Sequence, residues 1–160
     1  MKKLSGLVLC ILLVLVAAAA MADVAINETN FPDANFRKCI SQFDQNGNGV
    51  FDDAELKAVE RIDCSDKAIG SLQGIEYFNS ITNLTCSYNQ LTRLDLSKNT
   101  ALRGLSCDNN QLTTLNLSKN TALSMLQCFD NQLTHIDLSK NKELTMLDCG
   151  SNQLSTLDVM

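Results

Sequence analysis

From Ile81 onward, apolar residues return at the same offsets. Ile81, Leu84 and Cys86 lead to Asn89, and Leu91, Leu94 and Leu96 lead to Asn99, spelling LxxLxC-x-x-N and then LxxLxL-x-x-N. The double phrase recurs every 21 residues as LTCSYNQLTRLDLSKNTALRG, LSCDNNQLTTLNLSKNTALSM, LQCFDNQLTHIDLSKNKELTM and a shortened LDCGSNQLSTLDVM. Alternation within Leu-x-Cys and Leu-x-Leu predicts short strands that point these side chains inward. Two strands per unit predict two parallel sheets facing each other across a narrow core. A unit this short cannot bury its own apolar face, so a fixed period of this size implies a solenoid whose coils bury one another.

The pattern ahead of the repeats has a helical period. Phe36, Ile40 and Phe43 recur at helical spacing after Pro32 and Asp33, which suit a helix first turn. Leu56, Val59 and Ile62 read as one face of a second helix, and Asp52 with Glu55 forms a capping pair at its start. The expected fold class is therefore α+β. A short helical N-terminal cap over residues 23–60 precedes a repeat solenoid over 61–160, of about four and a half coils, with strands on both faces. The first coil, roughly Val59 to Phe78, carries Lys67 where later coils carry Asn, as terminal repeats often depart from the consensus. The array stops in mid-coil at Met160 and reads as truncated.

Residues 1–22 have the form of a secretory signal. Lys2 and Lys3 are followed by an apolar run from Leu7 to Ala20 and by Ala20-Met21-Ala22, a small-residue cleavage signal. The run is short for a membrane span, and Leu9 before Cys10 argues against lipidation. Without Lys2 and Lys3 the chain keeps 11 basic and 18 acidic residues, a net charge of −7. Such a surface excludes the Lys/Arg clusters that nucleic acid or an anionic membrane would require. The expectation is a secreted or cell-surface product with no membrane insertion of the mature chain.

Residues 44–55, DQNGNGVFDDAE, match the twelve-residue EF-hand loop. Asp44, Asn46 and Asn48 supply side-chain oxygens, Gly49 sits at the sharp turn, and Val50 offers its carbonyl. Asp52 gives a direct or water-mediated contact, and Glu55 a two-oxygen grip. The expected cofactor is calcium, held in the ~0.1–1 mM range of extracellular sites. The competing reading is a metal-free loop joining two helices. A dockerin-like assembly module would need a second such loop, which the sequence lacks.

Cys64, Cys86, Cys107, Cys128 and Cys149 share one column and read as reduced, buried packing thiols. Side chains in register on parallel strands do not reach the ~3.8 Å Cβ separation of a disulfide. Cys39 lies outside the column, with no partner evident in the sequence. The columns Asn89, Asn110, Asn131, Asn152 and Asn99, Asn120, Asn141 read as structural amide ladders, with Ser97, Ser118 and Ser139 assisting the turns. Asp95, Asn116, Asp137 and Asp158 read as a solvated row beside Lys98, Lys119 and Lys140.

Comparing the coils with one another separates framework from readout. The columns that vary are Thr85/Ser106/Gln127/Asp148, Ser87/Asp108/Phe129/Gly150, Tyr88/Asn109/Asp130/Ser151 and Arg93/Thr114/His135/Thr156. An exposed strip holding Tyr88, Asp108, Gln127, Phe129 and Asp130 is the candidate partner-binding surface; drift at unconstrained solvent positions would give the same variation. The lone histidine of the chain, His135, lies in a variable column. No phosphate loop, nucleophile elbow or HExxH accompanies it, so no enzyme activity is expected.

The LxxLxCxxNxL phrase resembles that of leucine-rich repeats. Its coupling to INETNFPDANFRKCISQFDQNGNGVFDDAEL is similar to exported bacterial leucine-rich repeat proteins of internalin type. The resemblance implies a curved binding scaffold with a helical N-terminal cap, a protein or glycan partner on the repeat face, and adhesion at a cell surface. End-to-end self-association is a further expectation for an uncapped array. The alternative is the targeting or binding part of a longer exported enzyme or wall-anchored protein.

Overall fold

The computed structural model describes residues 23–158. The signal peptide expected over residues 1–22 lies outside them. Two strands and two helices come first: β1 (Val24–Ala25), α1 (Ala34–Ile40), a 3-10 turn (Ser41–Phe43), β2 (Val50–Phe51) and α2 (Asp53–Ala58). Asp33 caps α1, accepting from the backbone N–H of Asn35 at 2.9 Å and of Phe36 at 3.0 Å. Asp52 caps α2 in a full capping box with Glu55. Helix α2 is shorter than its apolar spacing predicts. It ends at Ala58, and Ile62 belongs to β3 (Arg61–Asp63), the first strand of the solenoid. The β-branched Ile62 is buried there against the next coil, so tertiary pairing overrides the helical period.

The coils follow: a 3-10 turn (Ile75–Tyr77), β4 (Asn83–Thr85), β5 (Gly104–Ser106), β6 (Met125–Gln127), β7 (His135–Asp137), β8 (Met146–Asp148) and β9 (Thr156–Asp158). The first face is a continuous parallel sheet in the order β3-β4-β5-β6-β8. Its central residues Ile62, Leu84, Leu105, Leu126 and Leu147 are in register, so each coil places its apolar side chain over the last.

The second face departs from the expected sheet. Only β7 and β9 pair there, in parallel, while Arg93–Asp95 and Thr114–Asn116 form no strand. The second face keeps one backbone bond per coil at its start, such as Gln111 N–H to the Leu91 carbonyl at 2.9 Å and Gln132 N–H to Leu112 at 2.9 Å. In the pair that does close, side chains also bond across the strands, with His135 Nδ1 and Thr156 Oγ1 2.6 Å apart. Between the earlier coils the second face opens into grooves of about 460 and 380 Å³.

One continuous core runs from the cap into the coils and changes in character along the way. In the cap, Phe31 contacts Phe36, Phe51 and Phe78 edge-on or tilted, with ring centroids 6.0–6.3 Å apart, and Tyr77 at 5.6 Å. Through the coils the core is Leu, Ile and Cys, with Cys64, Cys86, Cys107 and Cys128 fully buried and Cys149 half-buried.

Candidate functional site

The twelve-residue loop is shaped by its own side chains. Asp44 accepts from the N–H groups of Gly47 (2.9 Å), Asn48 (3.2 Å) and Gly49 (2.8 Å), winding the chain around its carboxylate. Asn46 accepts from Asn48 N–H at 3.0 Å, and Asn48 from Val50 N–H at 2.8 Å. Gly49 has φ +78°, a left-handed conformation that side chains disfavour, at the position where the loop turns. Val50 then enters β2, which pairs antiparallel with β1. An isolated loop of this kind gives no hint of that partner strand, because two residues such as Val24-Ala25 carry no periodic signal.

Glu55 is buried at 7 % exposure and reaches back across the loop. Its Oε1 accepts from Gln45 N–H at 2.9 Å and its Oε2 from Asp52 N–H at 3.1 Å. No ion pair reaches Asp44, Asp52 or Glu55 among the described residues. The donors are oxygens only, the chemistry a hard divalent cation requires. Their carboxylates rest on backbone N–H groups, and no three acidic, His or Cys side chains converge on one point among the described residues. Asn46, Asn48 and the Val50 carbonyl would have to complete any coordination shell.

On the repeat face the amide donors of the framework columns are consumed internally. Asn89 accepts from Ile69 N–H at 2.9 Å and donates to the carbonyls of Cys64 (2.9 Å), Cys86 (3.0 Å) and Ser87 (3.1 Å). Asn110 and Asn131 repeat the arrangement one and two coils on. The second column, Asn99, Asn120 and Asn141, donates to the preceding coil in the same way. Burial pushes the Cys86 and Cys107 thiols far up and the Cys128 thiol to about 12, so these three stay protonated.

The acidic row is exposed, as expected, and its side chains also shape the turns. Asp95 and Asp137 each accept from the serine N–H two residues on, Ser97 and Ser139, at 2.9 Å, and Asn116 does so for Ser118 at 3.0 Å. The serines supply backbone, and the Asx side chains make the turns. Hydrogen bonds from Ser97 and Ser139 hold both carboxyls below the usual range.

The variable strip splits in two. Tyr88, 58 % exposed, and Asp130 lie on the turn edge, where Asp66, Tyr88, Asn109, Asp130 and Ser151 all have φ between +50° and +56°. Gln127 is half-buried on the sheet and accepts from Ser106 Oγ at 2.9 Å. Phe129 is half-buried as well. Asp108 does not belong to an exposed strip: at 6 % exposure it is buried, accepting from Ser87 Oγ at 2.7 Å and Asn109 Nδ2 at 3.1 Å. The residue after each inward Cys leaves the strand before alternation can carry it outward. Conversely, Met146 is 54 % exposed on β8, in an outward column with Asn83, Gly104 and Met125 that also varies from coil to coil. That variation was the available signal, and apolar composition masked it.

Known proteins share this architecture. No protein-family model matches the chain. It is 40 % identical over 71 residues to internalin J of Listeria monocytogenes serotype 4b (strain F2365), covering 44 % of this chain and 8 % of that one. A solved functional domain of InlJ from Listeria monocytogenes, described as including a cysteine ladder, superposes with a TM-score of 0.77 at 34 % identity. That match covers 87 % of this chain and 33 % of the solved domain. An internalin, InlF, from Listeria monocytogenes strain F2365 shares the fold at a TM-score of 0.67 and 21 % identity, over 83 % of this chain and 47 % of that one. The chain thus has an internalin-like leucine-rich repeat fold, and it spans about a third of the solved domain's length.

Proposed function

We propose that this chain is a non-enzymatic recognition module, exported or displayed at a cell surface, that binds a protein partner across its first sheet and the adjoining turn edge. Internalin-like homologues are binding or adhesion proteins rather than enzymes and are secreted or surface-associated. The observation that carries the reading is the division of labour among columns. Leu, Cys and Asn side chains are spent on holding coils together, while Tyr88, Asp130 and Met146 stand exposed on a face that this ladder keeps in place. An exposed tyrosine and methionine on a preorganised sheet supply contact area at low entropic cost.

The test is binding to an array of immobilised cell-surface proteins and glycans. A double variant, Tyr88→Ala with Asp130→Ala, should lose retention on protein spots, while Thr113→Ala, exposed on the other face, should keep it. Equal losses in both would discard the proposed face, and retention on glycan spots alone would replace the protein partner with a sugar.

The loop completes the reading with a structural calcium ion held by Asp44, Asn46, Asn48, the Val50 carbonyl, Asp52 and Glu55. Its support is the oxygen-only donor set, the left-handed Gly49 and the absence of an ion pair to Asp44, Asp52 or Glu55 among the described residues. When bound, the ion would supply charge neutralisation and tie the incoming chain to α2. Calorimetric titration with calcium chloride should show one saturable site that Glu55→Gln removes. Titrations without heat, and melts identical in calcium and in chelator, would leave Asp44–Glu55 as a helix-joining loop.

A further inference from the structure

The helix α1 is docked on the first coil along its whole length. Asp33, beyond capping α1, accepts with its second oxygen from Gly70 N–H at 2.8 Å and Ser71 N–H at 3.2 Å. Asn35 Nδ2 donates to the Ala68 carbonyl at 3.2 Å. At the other end Cys39 Sγ donates to the Asp63 carbonyl at 3.3 Å, and the residue after Asp63 is Cys64. Cys39 Sγ thus lies against the backbone that leads into Cys64, half-buried at the rim, with Cys64 fully buried behind it and its Sγ donating to the Thr85 carbonyl at 3.5 Å.

We propose that Cys39 and Cys64 are a dithiol site that closes to a disulfide, clamping the cap onto the solenoid while the rest of the cysteine column stays reduced. Register explains the selectivity. Cys64 and Cys86 project in parallel from neighbouring in-register strands about 4.8 Å apart, which keeps their Cβ atoms beyond disulfide reach. Cys39 comes from a helix packed across the end of the stack, so no strand register restrains its approach.

The chemistry is thiol–disulfide exchange with an external disulfide, of which oxidised glutathione is the simplest. The Cys39 thiolate attacks one sulfur of that disulfide, forming a mixed disulfide and releasing one glutathione thiolate. Cys64 then attacks Cys39 Sγ, its proton passing to the departing glutathione sulfur as the internal bond forms and the second glutathione is released. Two thiols are oxidised, one disulfide is reduced to two thiols, and the two protons end on the glutathiones. The environment assigns these roles. Interaction with the Cys64 thiol and the charge of Lys67 hold the Cys39 thiol low despite its partial burial and the nearby Asp63 carboxylate. Interaction with Cys39, burial, and the neighbouring Cys86 and Asp63 push Cys64 up, its proton held toward the Thr85 carbonyl. The accessible thiol is thus the nucleophile and the buried one the resolving partner.

Closure would encircle residues 40–63, and with them the entire 44–55 loop and α2. The test uses the full chain, purified reduced, equilibrated with oxidised glutathione and mapped by non-reducing peptide mass spectrometry. A Cys39–Cys64 crosslink is expected, with Cys86, Cys107 and Cys128 alkylated as free thiols after unfolding, and a melting temperature about 10 °C above the reduced form. Cys39→Ser and Cys64→Ala should each abolish the crosslink and the thermal gain, and Cys128→Ala should leave the crosslink intact. Glutathione retained on Cys39 without resolution, a Cys64–Cys86 bridge, or full alkylation of Cys39 and Cys64 would each overturn the proposal.

Discussion

The cap and the coils bury comparable residues by different means. Around Phe31, non-repeating aromatic rings interlock edge to face, and Gly74 at φ +101° presses its bare Cα against the Phe31 ring. From Leu84 to Asn141, each coil places aliphatic residues, one cysteine and two asparagines at the same positions, and the contacts recur 21 residues later. The cap depends on particular shapes that occur once. The coils depend on a nearest-neighbour interface whose strength is shared among copies. A lesion in the cap should therefore be felt as a whole, and one in a coil as a fraction.

Phe31→Ala should show the contrast at its largest. It removes the ring on which Phe36, Phe51, Tyr77 and Phe78 converge, and a loss of roughly 3–5 kcal/mol in urea unfolding is expected. Asn120→Ala is the matching change in a coil. The Asn120 amide is fully buried and donates to the Leu96 carbonyl at 3.1 Å and the Asn99 carbonyl at 2.9 Å. Its removal should cost about 2 kcal/mol, because both carbonyls keep their turn bonds from Asn99 and Leu102 N–H. A loss as large as that of Phe31→Ala would mean the ladder is as indivisible as the cap.

Tyr88→Asn should move stability the other way. Tyr88 holds φ +56° in a column where the next coils place Asn109, Asp130 and Ser151, and asparagine adopts that conformation more readily. A gain of about 1 kcal/mol is expected, together with weaker partner binding. A stabilised variant that binds as before would remove Tyr88 from the recognition face.

The smallest effect is a pH dependence. The folded pKa of Asp137 is depressed by its bonds from Ser139, so its contribution to stability is present above the unfolded value of 3.8 and fades as pH falls through the lower folded value. Asp137→Asn should keep the turn, since Asn116 makes the same bond one coil earlier, and should flatten acid melts in that window. An unchanged acid profile would assign the depression to solvent-screened charge with no structural consequence.

Much of this was legible along the chain. The 21-residue period, the inward Leu-x-Cys alternation and the asparagine columns specify stacked coils, because each repeats a local geometry that only neighbouring copies can complete. The capping pair Asp52 and Glu55 and the glycine of the loop are local as well, and both stand where expected. What tertiary structure alone decided are the places where separate segments meet. Residue 62 became strand rather than helix because a parallel neighbour was waiting at Leu84. The second face failed to close into one sheet between Leu91 and Asn116, since apolar spacing sets which side chains turn inward and not whether backbones come within bonding distance. Asp108 withdrew from the surface through a bond to Ser87, a residue 21 positions away. Cys39, without a partner in the sequence, came to lie against Asp63, next to Cys64, because α1 is docked by Asp33 onto Gly70 and Ser71, and no periodicity encodes a contact between a unique helix and a repeat.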